Sequence, residues 1–300
     1  GGRGVQGQTA REEDFTEHLF VENTHSYILF FTDKGKCYWV KVYDIPEGGR
    51  AAKGRAIVNL IGCEPDEKVS AFIGVKQDQF HDDHFVVMAT EKGIVKKTKL
   101  SAYSNPRKKG IYAVEIREGD SLIEARVSNG ENDILLGTTN GKSIRFSEEQ
   151  IRPSGRKTMG VKGITLSSKD DKVVGMLLIK REGTVLVATE NGFGKRTEII
   201  QYRAQKRGGK GVLTMKTTDK IGKMITIKEV VGTDDLMIIR DDGVLIRMPV
   251  SQIRSIGRAT QGVKLIKLAE GTKVSAITRI ISEEEKTADE PENNPEPQDA

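Results

Sequence analysis

The 300-residue chain has only two cysteines, Cys37 and Cys63, too few for a disulfide framework or a four-thiolate zinc site. Aromatic residues make up 5% of it and Trp39 is its one tryptophan, which argues against blade families signed by that residue. Long hydrophobic runs are missing too. Stretches such as residues 28–31 and 85–89 fall far short of the roughly 20 apolar residues of a membrane span. No basic segment followed by an apolar one opens the sequence, so no signal peptide is expected. Helical spacing is confined to residues 11–19, where Phe15 and Leu19 stand four apart. These absences point to a cytosolic protein without a membrane partner and with little helix.

Charge is plentiful and unevenly placed. Residues 282–300 carry eight acidic residues, one lysine and three of the eight prolines. The remaining body, residues 1–281, holds 47 basic against 35 acidic residues, a net +12. Two parts are expected: a basic body over 1–281 and a disordered acidic tail over 282–300. A basic body suits a polyanion, and a solubilising tail on a mildly basic protein is the plainer reading.

An internal repeat decides the fold class. A strand ending in a polar turn with glycine recurs at Gly35, Gly93, Gly141, Gly192 and Gly243, at intervals of 58, 48, 51 and 51 residues. Asn-Gly and Asp-Gly steps read as tight primed hairpin turns between strands rich in β-branched and aromatic residues. A second glycine follows each turn, Gly54, Gly160, Gly211 and Gly262 at 19 residues and Gly110 at 17. An arginine stands four residues before four of them: Arg50, Arg156, Arg207 and Arg258. Two more apolar segments complete each unit, for example 56–60 and 69–75. Units of four strands near 50 residues imply an all-β, propeller-like disc of blades. The stretch Gly1-Gly2-Arg3-Gly4-Val5 aligns with Gly208-Gly209-Lys210-Gly211-Val212, so the chain begins mid-unit. Five hairpins and this half unit predict six blades, the first of them complete only if upstream sequence supplies its hairpin.

Few motifs promise chemistry. Gly2-Arg-Gly4-Val-Gln-Gly7 fits a dinucleotide fingerprint, but no strand–helix–strand alternation surrounds it. Gly141-Lys142-Ser143 has Leu136 where a phosphate loop needs glycine. His81-Asp-Asp-His84 lacks further ligands and reads as a polar tip between strands. No histidine has a nucleophile to serve, so no catalytic residue, metal or cofactor is expected in this chain. The basic residues do form a pattern. Lys97, Arg145, Arg196 and Arg247 each stand four after a hairpin glycine, with Trp39 breaking the series in the first full unit. Arg107, Lys108 and Lys109 form one cluster; Arg203, Lys206, Arg207 and Lys210 form another. Rotation from blade to blade would set equivalent loops side by side as a curved positive stripe for nucleic-acid phosphates. Solvated surface cations are the plain alternative.

At these loops a resemblance becomes specific. Gln205-Lys206-Arg207-Gly208-Gly209-Lys210-Gly211 resembles the Q-R-R-G-G-K-G box of the DNA gyrase A C-terminal domain, with Lys206 in place of an arginine. Gly1-Gly2-Arg3-Gly4 resembles the end of that box, and Glu12-Glu-Asp-Phe15, His18-Leu-Phe-Val21 and Ala52-Lys-Gly-Arg-Ala-Ile-Val-Asn-Leu60 are also similar to that domain. The resemblance implies a β-pinwheel whose blades exchange strands and whose basic rim wraps duplex DNA. It further implies a bacterial, cytoplasmic, nucleoid-associated heterotetramer with the rest of gyrase A and with gyrase B, with ATP and Mg²⁺ handled outside this chain. Three rivals remain: the topoisomerase IV counterpart, a protein-binding propeller scaffold, and a propeller enzyme, which would need clustered carboxylates or histidines.

Overall fold

The protein, seen in a computed structural model, is described over residues 26–45, 58–81, 83–180 and 183–280. Each repeat begins with a hairpin: Tyr27–Thr32 with Lys36–Lys41, Phe85–Thr90 with Ile94–Lys99, Asp133–Thr138 with Lys142–Ser147, Thr184–Thr189 with Phe193–Glu198, and Asp235–Arg240 with Leu245–Pro249. Each hairpin forms the middle of one antiparallel sheet, a blade. Its first strand pairs with a long strand later in the same repeat, Val69–Val75, Leu122–Ser128, Val173–Ile179, Met224–Val230 or Val274–Ile280. These five long strands pack against one another in order, which places them at the inner edge of the array.

The outer edge is built by exchange. The second hairpin strand of blade 1 pairs with Ile111–Tyr112, which belongs to the second repeat. Blades 2, 3 and 4 likewise receive Val161–Lys162, Val212–Leu213 and Val263–Lys264 from the repeat that follows. Blade 5 has three strands among the described residues. The glycine that precedes each short strand permits this exchange. Gly211 has φ +72°, and a side chain there would meet the Ser143 carbonyl of the preceding blade. Gly160 has φ +90° and lies in the same way on Val95.

Blades bury their faces on each other. Val87, Ala89 and Val95 of blade 2 meet Ile134, Leu136, Ile144 and Phe146 of blade 3 in one cluster. Similar clusters join blades 1 and 2, 3 and 4, and 4 and 5. At about 1.5–3 kcal/mol per fully buried aliphatic side chain, these contacts between blades hold the array together.

Three expectations are corrected. The described residues form five blades, not six, and the half unit that suggested a sixth lies in 1–25, outside them. In the sequence that half unit carries no hairpin glycine, and a hairpin forms the centre of every blade described. The hairpins are not primed two-residue turns. In Thr90–Gly93 the glycine N–H donates to the threonine carbonyl at 3.0 Å, and no non-glycine residue has positive φ among the described residues. A type I turn with glycine in the left-handed slot matches this. Finally, the apolar segment expected as a strand over 56–60 contributes a helical turn, Val58–Ile61. The tail 282–300 lies outside the described residues.

Candidate nucleic-acid interface

The basic glycine loops precede the short outer strands, so the topology itself puts them at the outer edge of each blade. Their backbones are tied there. Gln205 N–H donates to the Arg145 carbonyl at 2.7 Å, and Ile256 N–H donates to the Arg196 carbonyl at 2.9 Å. Each loop therefore runs along the hairpin of the blade before it.

The two registers of basic residues found in the sequence are engaged in this tying. Lys97 is buried, donates to the Glu148 carbonyl at 3.0 Å, and lies 3.7 Å from the Glu148 carboxylate. Arg145 donates through Nε to Asp133 at 2.8 Å and through a terminal nitrogen to the carbonyls of Ile199 and Tyr202, at 3.3 and 3.1 Å. Arg196 donates to the Ile253 carbonyl at 2.8 Å. All three reach from one blade into the 3-10 turn of the next repeat. Arg247, in the last blade, pairs with Asp235 at 2.7 Å and keeps 61% of its side chain exposed. At the equivalent position Trp39 packs edge-on against Tyr27 at 4.6 Å.

The loop arginines behave similarly. Arg207 donates to the carbonyls of Gln150 at 3.1 Å and Lys162 at 2.6 Å. Arg258 reaches those of Gln201 at 3.2 Å and Leu213, and Arg156 that of Tyr112 at 3.1 Å. These side chains act as clamps between repeats, and Lys97 in particular is enclosed and cannot meet a phosphate. Arg50 and the stretch Gly1, Gly2, Arg3 and Gly4 lie outside the described residues.

The other predicted cations face solvent. Arg107, Lys108, Lys109, Arg203, Lys206 and Lys210 are all exposed on outer loops. Among them Gly208, Gly209 and Gly211 shape the loop, Gly208 with φ +83°. Such an edge can neutralise a polyanion along its length. No group of three metal-ligating side chains occurs among the described residues. Cys37 is buried and its thiol is pushed well above the usual range by that burial. His84 is occupied by Asp83 at 2.8 Å.

A family model described as the DNA gyrase C-terminal domain, beta-propeller, matches residues 26–74, 84–129, 132–180, 183–230 and 234–280, one match per blade. The chain belongs to the DNA gyrase C-terminal domain family. It is 44% identical over 296 residues to DNA gyrase A of Staphylococcus aureus (strain NCTC 8325 / PS 47), and 44% over 287 residues to that of Staphylococcus epidermidis (strain ATCC 12228 / FDA PCI 1200). Those alignments cover 98% and 95% of this chain but only 33% and 32% of the relatives, so the chain spans about a third of their length. The solved DNA gyrase A C-terminal domain superposes with a TM-score of 0.77 at 20% identity, covering 93% of both chains. The C-terminal domain of DNA topoisomerase IV gives the same score at 24% identity, covering 87% of this chain and 80% of the other. At these identities the superpositions establish the fold.

Within this gyrase-family domain, several surface cations escaped the sequence analysis. Arg152 and Arg254 are exposed and stand 51 residues either side of Arg203, in the same loop position. That period was already visible and would have found them. Lys157, Lys162 and Lys264 are exposed on the same loops and outer strands, with Lys157 over the Tyr112 ring at 5.4 Å and Lys264 over Phe193 at 5.7 Å. Two buried lysines, Lys96 and Lys195, were missed as well. Burial lowers both to a pKa of about 8, with Arg156 and Arg258 respectively adding repulsion.

Proposed function

We propose that this domain binds duplex DNA through its phosphates and bends it around the outer edge of the blades. The observation that carries this reading is the triplet Arg152, Arg203 and Arg254: exposed, one per blade edge, in strict register. Arg107, Lys108, Lys109, Lys206, Lys210, Lys157, Lys162 and Lys264 extend the same edge. Bending stiff duplex costs several kcal/mol, and a curved row of phosphate contacts offsets that cost. Seven of these eleven cations are lysines, point charges without the bidentate fork that base reading uses, which favours sequence-tolerant binding.

In this reading the domain serves a DNA gyrase A, with the rest of that polypeptide and gyrase B as partners. Strand cleavage, ATP and Mg²⁺ belong to those parts, and the wrap lets the whole enzyme introduce negative supercoils in bacterial cytoplasm, at the nucleoid. The equal superposition on the topoisomerase IV domain supports a second reading, a topoisomerase IV counterpart; the sequence identity to DNA gyrase A favours the first. Replacing Arg152, Arg203 and Arg254 together by alanine tests the reading. Each lost contact should make the slope of log affinity against log salt shallower by about 0.9, with unfolding temperature unchanged. An unchanged slope would contradict it.

A further inference from the structure

Two of the outer loops share a local sequence and a buried partner. Gly155-Arg156-Lys157-Thr158 and Gly257-Arg258-Ala259-Thr260 both fit Gly-Arg-x-Thr, two residues before the glycine that starts the outer strand. In each case the preceding blade supplies a lysine three residues after its hairpin glycine, Lys96 and Lys195. Blade 3 has Ile144 in that position, and the loop laid on it reads Lys-Arg-Gly-Gly instead. Lysine and Gly-Arg-x-Thr loop therefore occur together within one chain.

The geometry explains the pairing. Lys195 is 0% exposed, and its ammonium lies within hydrogen-bond reach of the carbonyls of Gly257 at 3.0 Å, Arg258 and Thr260 at 3.1 Å, and of the Thr260 hydroxyl at 3.0 Å. Lys96 does the same with the Arg156 carbonyl at 2.7 Å, taking Ala113 at 2.6 Å as a second acceptor. The described peptides are all trans, so each carbonyl drawn inward turns the next residue's N–H away from the ammonium. In the last loop these are the N–H groups of Arg258, Ala259 and Gln261. Arg258 N–H is taken by the Gln201 side chain at 3.1 Å. Those of Ala259 and Gln261 have no protein acceptor among the described residues, and both residues are exposed. Outward-facing amides with a fixed positive charge behind them make an anion-binding concavity.

We propose that Gly257–Gln261 is a backbone phosphate cradle, with the Ala259 and Gln261 amides as donors and Lys195 as its buried positioning cation. In loop 155–159 Lys96 turns one carbonyl, that of Arg156, so only the Lys157 amide is positioned there in the same way. This rests on the DNA reading and names the atoms that hold the phosphate. Arg254 and Lys264, on the same edge, supply the long-range attraction. Here Lys195 touches no phosphate; it sets the peptide planes that do.

The test uses the full chain, a short blunt duplex, and the variant Lys195→Ile, which is blade 3's own residue at that position. Selective 15N labelling of alanine and glutamine follows the two amides directly. Duplex should move the Ala259 and Gln261 amide resonances downfield in the unaltered chain. In Lys195→Ile those shifts should vanish and affinity should fall about 3- to 10-fold. Lys195→Met, an unbranched chain of similar length, is the second variant should isoleucine not be accommodated. Duplex binding with neither amide shifted, or with full affinity in the folded variant, overturns the cradle and leaves the rim reading standing. If the unaltered chain binds no duplex at all, the DNA reading itself falls.

Discussion

Single cations in this chain have two distinct fates, and Arg207 and Lys210 show the contrast within four residues. Arg207 satisfies two carbonyls of the preceding repeat, whereas Lys210 is exposed with no acceptor among the described residues. Arg207→Ala should lower the unfolding temperature, since it strips hydrogen bonds from carbonyls and each such bond contributes about 1 kcal/mol. Lys206→Ala with Lys210→Ala should leave that temperature alone and weaken duplex binding, with the salt slope shallower by about 1.8. Calorimetry and a salt-series titration on the same preparations separate the two roles. A loss of stability in the lysine double variant would mean that these side chains pack rather than bind.

The buried lysines give a pH dependence of definite sign. Lys96 and Lys195 titrate near 8 in the fold and near 10.4 when unfolded, so between these values the unfolded chain holds more protons. Stability contributed by these groups therefore rises as pH climbs from 8 to 10, by up to about 1.4 kcal/mol per pH unit for each lysine. Urea midpoints at pH 8 and 9.5 should show a larger gain for the unaltered chain than for Lys195→Ile. Equal gains would show that Lys195 is charged to the same extent in both states.

At the scale of elements, the blade depends on exchange and on the glycine that permits it. Gly211→Ala puts a side chain at φ +72° against the Ser143 carbonyl. The left-handed backbone alone costs about 1–2 kcal/mol, so chemical denaturation should show at least that loss. Leu136→Ala, in the interface of blades 2 and 3, should cost about 2–5 kcal/mol. The hairpins were legible in the sequence because turn glycines and β-branched flanks mark them locally. The period exposed the loops for the same reason. Which basic residues stay free at the surface was not legible, because the carbonyls that capture Arg145, Arg156 and Arg258 belong to other repeats about 45–60 residues away. Lys96 and Lys195 adjoin Lys97 and Arg196 in charged strands, and only the loop folded over each makes it interior.

The whole molecule pairs a positive edge with an acidic terminus. Residues 282–300, eight of them acidic, would compete weakly with DNA for that edge if they reach it, because tethering raises their effective concentration. Deleting them should tighten duplex binding, most at low ionic strength, where screening is weakest. Equal affinity at low salt would assign the tail to solubility alone, and weaker binding would mean that it helps hold the DNA. The family model meets all five blades, while the chain spans about a third of its relatives' length, so what the domain does alone is the decisive question. The most direct answer is the affinity of the isolated chain for linear duplexes of increasing length across a salt series, with end-to-end distance read by energy transfer. The account predicts a log–log salt slope of several units, little dependence on sequence, and duplex ends drawn together once the DNA is long enough to reach several blades. A slope near zero, a strong preference for one short sequence, or bound duplex that stays straight would contradict it.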